Sequence, residues 1–247
     1  MQIKFEKLEE AKAYVSNGGV TFQTPKLYAD KFMEVMKVAP EQVNFEVQGK
    51  VENANEDESI NVAYARLKAE VKLDFNNDIM EKTIGMVVAL DTQNPIIKVY
   101  SGSRVFACTN LCIANADNVF SANVMSNLES GYSMLDQYRL NADKEWTKSL
   151  EVWKNMQETN MTGVEVEAKL GEMLRKVIKG GQFKQLGTNP ITRAAKYLFG
   201  ADGPYRITDN STTVWNIYNA MTQAITDNKE IVTAPNKTLI ATKLVLN

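Results

Sequence analysis

No histidine occurs among the 247 residues. A chain without an imidazole has no Ser/His/Asp or Cys/His nucleophile pair, no histidine ligand for zinc and no histidine pH switch. Any chemistry is left to carboxylates, Lys, Tyr, Ser, Thr or a bound metal. Cysteine is almost as scarce. Cys108 and Cys112 are too few for a disulfide framework. Their C-x3-C spacing also lacks the second Cys or His pair of a tetrahedral metal site. Both read as small buried hydrophobes in a reducing compartment. No apolar run reaches the roughly 18 residues of a spanning helix. The opening MQIKFEKLEEAKAY is charged and has no apolar h-region, so it does not read as a signal peptide. The expected setting is therefore the cytoplasm, with no membrane partner.

Phosphate loops are missing too: no G-x-G-x-x-G follows a strand and no G-x-x-x-x-G-K-[ST] occurs. No cofactor is expected. Asp74 with Asp78 and Asp57 with Glu58 are the nearest approaches to a carboxylate pair, and a turn and an acidic loop explain them. A metal-dependent nuclease is accordingly the least favoured class, and the chain reads as non-enzymatic.

What is present is a globular balance, 44% apolar and 23% charged, enough to fill a core. Phe5, Leu8, Ala11 and Val15 predict a first helix closed by Asn17-Gly18-Gly19, and Thr24-Pro25 opens a second. In that second helix Tyr28, Phe32, Val35 and Met36 form the buried face, and Pro40 stops it. The period then changes from 3.6 to 2. Val43, Phe45, Val47 and Val51 alternate with polar residues. From 65 to 75, Ala65, Leu67, Ala69, Val71, Leu73 and Phe75 alternate with charged residues that predict a solvent face. Strands at 83–90 and 96–100, joined by a short turn, complete a β-meander over 43–108, interrupted by an acidic loop at 52–58.

Beyond residue 127 the pattern is helical. Leu135, Tyr138, Ala142, Trp146, Leu150, Trp153 and Met156 predict one long helix or two stacked ones. Thr162 to Glu165 is a capping box opening a helix that Gly180-Gly181 stops. Helices follow at 190–199 and from Thr212 to Ile225, and the tail 238–246 reads as a strand. The expected fold is a single α+β domain, sheet-rich over 1–127 and helix-rich over 128–247, in which an antiparallel β-meander is covered by N-terminal and C-terminal helices.

Charge is uneven along this chain. Residues 1–127 hold 13 bases and 17 acids, whereas 128–247 hold 15 bases and 13 acids. Within 173–201 stand Arg175, Lys176, Lys179, Lys184, Arg193 and Lys196 with no acid, interleaved with Phe183, Tyr197 and Phe199 and broken by glycines. Cations with aromatic platforms suit a phosphate backbone and its bases. Against this, bases near a helix C-terminus complement its dipole, and aromatics fill cores. The helix from 212 carries two stripes. Val214, Ile217, Tyr218, Met221 and Ile225 form the core face. Trp215, Asn219 and Thr222 form a second face that either meets a ligand or partner or packs internally.

Two segments are familiar together. Ser101 to Leu111, SGSRVFACTNL, resembles the G-x-x-VF-x-C-x-N core of a phage- and plasmid-encoded family, domain of unknown function 932. The stretch Thr213 to Thr222, TVWNIYNAMT, resembles that family's T-x-W-x-x-Y-NA-x-T motif. The resemblance covers about a tenth of the chain and points to Gly102, Arg104, Val105, Phe106, Cys108 and Asn110, and to Trp215, Tyr218, Asn219, Ala220 and Thr222. The family's frequent His-containing KHT element is replaced here by Ser121 to Asn127, SANVMSN, so any role of that His is absent. The resemblance implies a phage or other mobile element as the setting. Combined with the basic segment, it leads to the expectation of a non-enzymatic accessory protein that binds single-stranded nucleic acid in replication or recombination. Arg175, Lys176, Lys179, Lys184, Arg193 and Lys196 would track phosphates while Phe183 and Tyr197 stack bases. The alternative is a protein-binding module, an inhibitor of a host defence complex or an oligomeric virion component, using the acidic loop.

Overall fold

A computed structural model describes residues 2–5, 23–53, 60–73, 80–89, 95–105, 110–208, 210–228 and 230–246. The helix expected over 8–15, positions 54–58 of the acidic loop, Phe75, the Asp74/Asp78 pair, Phe106 and Cys108 lie outside them. Strands β1 (Gln2–Phe5), β2 (Val43–Asn53), β3 (Ile60–Leu73), β4 (Met80–Ala89), β5 (Ile96–Val105) and β6 (Leu111–Cys112) follow one another across a seven-stranded sheet. The seventh strand, β7 (Val119–Asn123), pairs with β5. The expected α+β class with an antiparallel sheet and helices holds. Phe5, expected in a helix, ends β1 opposite Val47; the QIKF alternation has the period of a strand.

The chain divides into two compact units. Unit 1 takes the described residues within 1–75, 82–101 and 119–142, and unit 2 those within 76–81, 102–118 and 143–247. In unit 1, helix α1 (Gln23–Met36) and helix α2 (Val124–Leu140) belong to a core of Phe32, Leu67, Ala69, Val71, Ile84, Met86, Ile97, Val99 and Leu135. The alternating apolar face of β3 is thus buried as its period demands.

Its charged face departs from expectation. Glu70 is 2% exposed, and Lys82 and Lys98 on the neighbouring strands are 3% and 6% exposed. Tyr100 is fully buried and donates from its hydroxyl to Glu70 Oε2 at 2.6 Å. Lys68 Nζ lies 3.4 Å from the same carboxylate. Gly85 makes this reach possible. It is the register partner of Glu70, and a β-carbon there would lie 2.2 Å from the Tyr100 ring. The phenol lies across the bare glycine to bond the carboxylate beyond it. Alternation in a strand distinguishes two faces, but the polar one is wet only when nothing covers it.

In unit 2, α3 (Ala142–Glu158), α4 (Gly163–Lys179), α5 (Asn189–Phe199), α6 (Val214–Thr226) and α7 (Ala234–Leu246) share one hydrophobic core. The capping box is formed: Thr162 Oγ1 accepts from the Glu165 amide, and Glu165 Oε2 accepts from the Thr162 amide at 2.7 Å. Gly180 and Gly181 stop α4 with φ of 90° and 66°, values that glycine adopts without strain. A short ladder of β8 (Asn160–Thr162) with β9 (Ser211–Thr213) sets the caps of α4 and α6 on paired strands.

The tail 238–246 is not a strand but most of α7. TLIATKLVL is apolar enough for either element, and Pro235 in the first turn together with Thr238 and Thr242 on one helical face decides it. Both threonines are buried, and Thr242 donates to the Ile113 carbonyl at 2.5 Å.

Candidate functional site

The two resembling segments meet in unit 2. β5 turns back into β6, with Ser103 opposite Cys112 and Arg104 opposite Leu111. The Val105 amide donates to the Asn110 carbonyl at 3.3 Å. A side chain at Gly102 would strike the Cys112 carbonyl at 2.5 Å, so only glycine fits that crossing. Fully buried Asn110 donates from Nδ2 to the Asn219 carbonyl at 3.2 Å and to the Tyr205 hydroxyl at 3.1 Å. The Ile113 amide donates to Tyr218 Oη at 3.1 Å, and Thr242 Oγ1 lies 3.2 Å from the same oxygen. Burial holds the Tyr218 phenol well above its ordinary range, opposed by its hydrogen bonds with Thr242 and Ile113.

The second stripe of α6 takes the internal alternative. Trp215, Asn219 and Thr222 are buried, so they present no surface to a base or partner. Trp215 lies 5.7 Å from Trp153, which stacks on Tyr218 at 5.4 Å. Asn219 donates to the Trp215 carbonyl, and Thr222 to that of Asn219. Ala220 is fully buried beside them. Gly102, Asn110, Tyr218 and Asn219 thus lock a hairpin to a core helix, and Cys112 is a buried thiol beside them.

The basic segment faces outward. Arg175, Lys179, Lys184, Arg193 and Lys196 are exposed, and none forms an ion pair among the described residues. Lys176 differs, being half-buried and paired with Glu172 at 2.8 Å. Its charge is largely answered within α4. Three cations converge: Lys184, Arg193 and Lys237 line a cleft of about 370 Å³ together with Gly187, Thr188 and Asn228, and among the described residues no carboxylate lines it. The cleft lies at the start of α5, whose unbonded N-terminal amides carry partial positive charge. Lys237 stands outside the basic segment 173–201 and reaches the cleft from α7.

The aromatics divide differently from the expectation. Phe183 and Tyr197 are half-buried against the unit 2 core. The Tyr197 hydroxyl donates to the Asp227 carboxylate, which raises its pKa. Phe199 is exposed, so the surface available for stacking lies there rather than on the two rings expected to provide it.

No protein-family model, curated protein or solved structure matches this chain. Among the described residues no cluster of three metal-ligating side chains occurs, and no helix is long and apolar enough to cross a membrane.

Proposed function

We propose that the chain is a non-enzymatic accessory protein of a phage or other mobile element that holds single-stranded nucleic acid on unit 2 during replication or recombination. The cleft carries this reading: Lys184, Arg193 and Lys237 converge on about 370 Å³ with no carboxylate among them. Like charges gathered around a concavity repel one another in the free protein, and an anion relieves that repulsion. Lys179 and Lys196 are further exposed cations of unit 2 outside the cleft, and Phe199 supplies an exposed ring for a base. The volume suits one nucleotide unit of a flexible strand better than the rigid paired backbones of a duplex. The mobile-element setting rests on the resemblance of the 101–111 and 213–222 segments to domain of unknown function 932.

Fluorescence anisotropy with a labelled single-stranded oligonucleotide, repeated with its duplex, tests the proposal. If about four phosphates are neutralised, affinity for the single strand falls roughly fiftyfold between about 50 and 200 mM salt, and the duplex binds more weakly. A salt-independent response, or no binding at the lower salt, contradicts it.

A further inference from the structure

Helix α4 leaves an unusual face uncovered. Val164 and Ile178, 74% and 69% exposed, are the two most exposed large hydrophobic residues among those described. They stand seven positions to either side of Gly171. Among the described residues a β-carbon on Gly171 would meet nothing within 4 Å, so no packing there calls for glycine, which weakens a mid-helix position relative to alanine. At 100° per residue, Val164, Glu167, Ala168, Gly171, Arg175 and Ile178 fall within about 60° of one line along the helix. All six are exposed.

This face is self-complementary. Rotating a second copy so that the helices run antiparallel about Gly171 sets Val164 level with Ile178 of the partner subunit, and Glu167 level with Arg175 of the partner subunit. Neither Glu167 nor Arg175 has an ion-pair partner among the described residues. The two-fold makes each contact twice, as an isologous interface requires. Gly171 at the axis lets the two backbones approach closely, and Ala168 beside it adds little bulk. A parallel pairing would instead set Glu167 beside Glu167 and Arg175 beside Arg175.

We infer that α4 is a homodimer contact, with a second copy of this chain packed antiparallel across Gly171. The contact is one helix face wide, so the association is weak and concentration-dependent. It does not depend on the nucleic-acid reading.

Sedimentation velocity of the full chain over a concentration series tests it. The wild type shifts from monomer to dimer in the micromolar range. Gly171→Leu, which has open space in the monomer, remains folded by circular dichroism and weakens dimerisation at least about tenfold by forcing the helices apart. Glu167→Arg and Arg175→Glu each weaken it by a similar factor through like-charge contacts, and the double variant Glu167→Arg/Arg175→Glu restores it. A wild type that stays monomeric at every concentration overturns the inference. So does a dimer indifferent to Gly171→Leu, or one that the double reversal fails to restore.

Discussion

Lys82 and Lys98 of unit 1 are buried, while Lys184, Arg193 and Lys237 of unit 2 gather around an open cleft. The same kind of side chain has opposite fates in the two regions, and the elements explain why. A strand in a sheet has two faces, and both can be covered, so its polar side must then be satisfied internally, as Glu70 is by Tyr100 and Lys68. A surface helix buries one stripe and leaves the rest wet. Helix α5 buries Ile191, Ala194 and Leu198 and leaves Arg193 and Lys196 exposed. The buried charge of the unit 1 sheet is therefore part of the fold, whereas Arg193 and Lys196 of α5 stay in water.

Substitutions can break that contrast, and the largest effect is expected in unit 1. Gly85→Val drives side-chain atoms into the Tyr100 ring and parts it from Glu70, so stability falls by about 3 kcal/mol. Denaturant titration reads this as a lower midpoint. An unchanged midpoint would remove the Tyr100–Glu70 bond from the account. Next comes the lock of unit 2. Asn110→Ala strips the Asn219 carbonyl and the Tyr205 hydroxyl of a buried donor, costing about 2 kcal/mol in the same assay. Smaller still, Thr162→Ala removes the cap of α4 and costs about 1 kcal/mol.

The cap also sets a pH dependence. Glu165 has its pKa lowered, first by the Thr162 backbone amide and then by the Thr162 hydroxyl. A carboxylate with a depressed folded pKa adds stability above its unfolded pKa and loses it as the pH falls through the folded value. Acid should thus fray the start of α4 in the wild type, and Glu165→Gln should flatten that response in amide exchange. At alkaline pH the sign is the reverse for Tyr218. Its raised pKa keeps its contribution intact below the ordinary phenol range, and that contribution is lost as the pH rises above it. Tyr218→Phe should reduce the slope of alkaline unfolding, measured against the wild type.

Much of this was legible in the sequence for local reasons. The capping box at Thr162, the Gly180-Gly181 stop and the apolar face of β3 each depend on residues close in the chain. What lay beyond reading depends on distant partners. Tyr100 meets Glu70 only because Gly85 stands between them across three strands, and nothing in the spacing of 70, 85 and 100 announces it. Thr242 bonds Ile113 across most of the core, and the β-branched run holding it has strand character until its surroundings choose a helix. Asn110 bonds the Asn219 carbonyl across more than a hundred residues of chain, a contact that no local spacing announces. The basic segment was visible as composition, but its convergence with Lys237 needed the fold.

The most direct test of the contrast is a triple variant, Lys184→Gln/Arg193→Gln/Lys237→Gln, titrated against a single-stranded oligonucleotide at low salt beside the wild type. Three lost phosphate contacts predict a fall in affinity of at least about a hundredfold and a salt slope shallower by roughly two, with the thermal midpoint unchanged because these side chains lie outside the core. Wild-type affinity in the folded triple variant would contradict the cleft as the seat of binding.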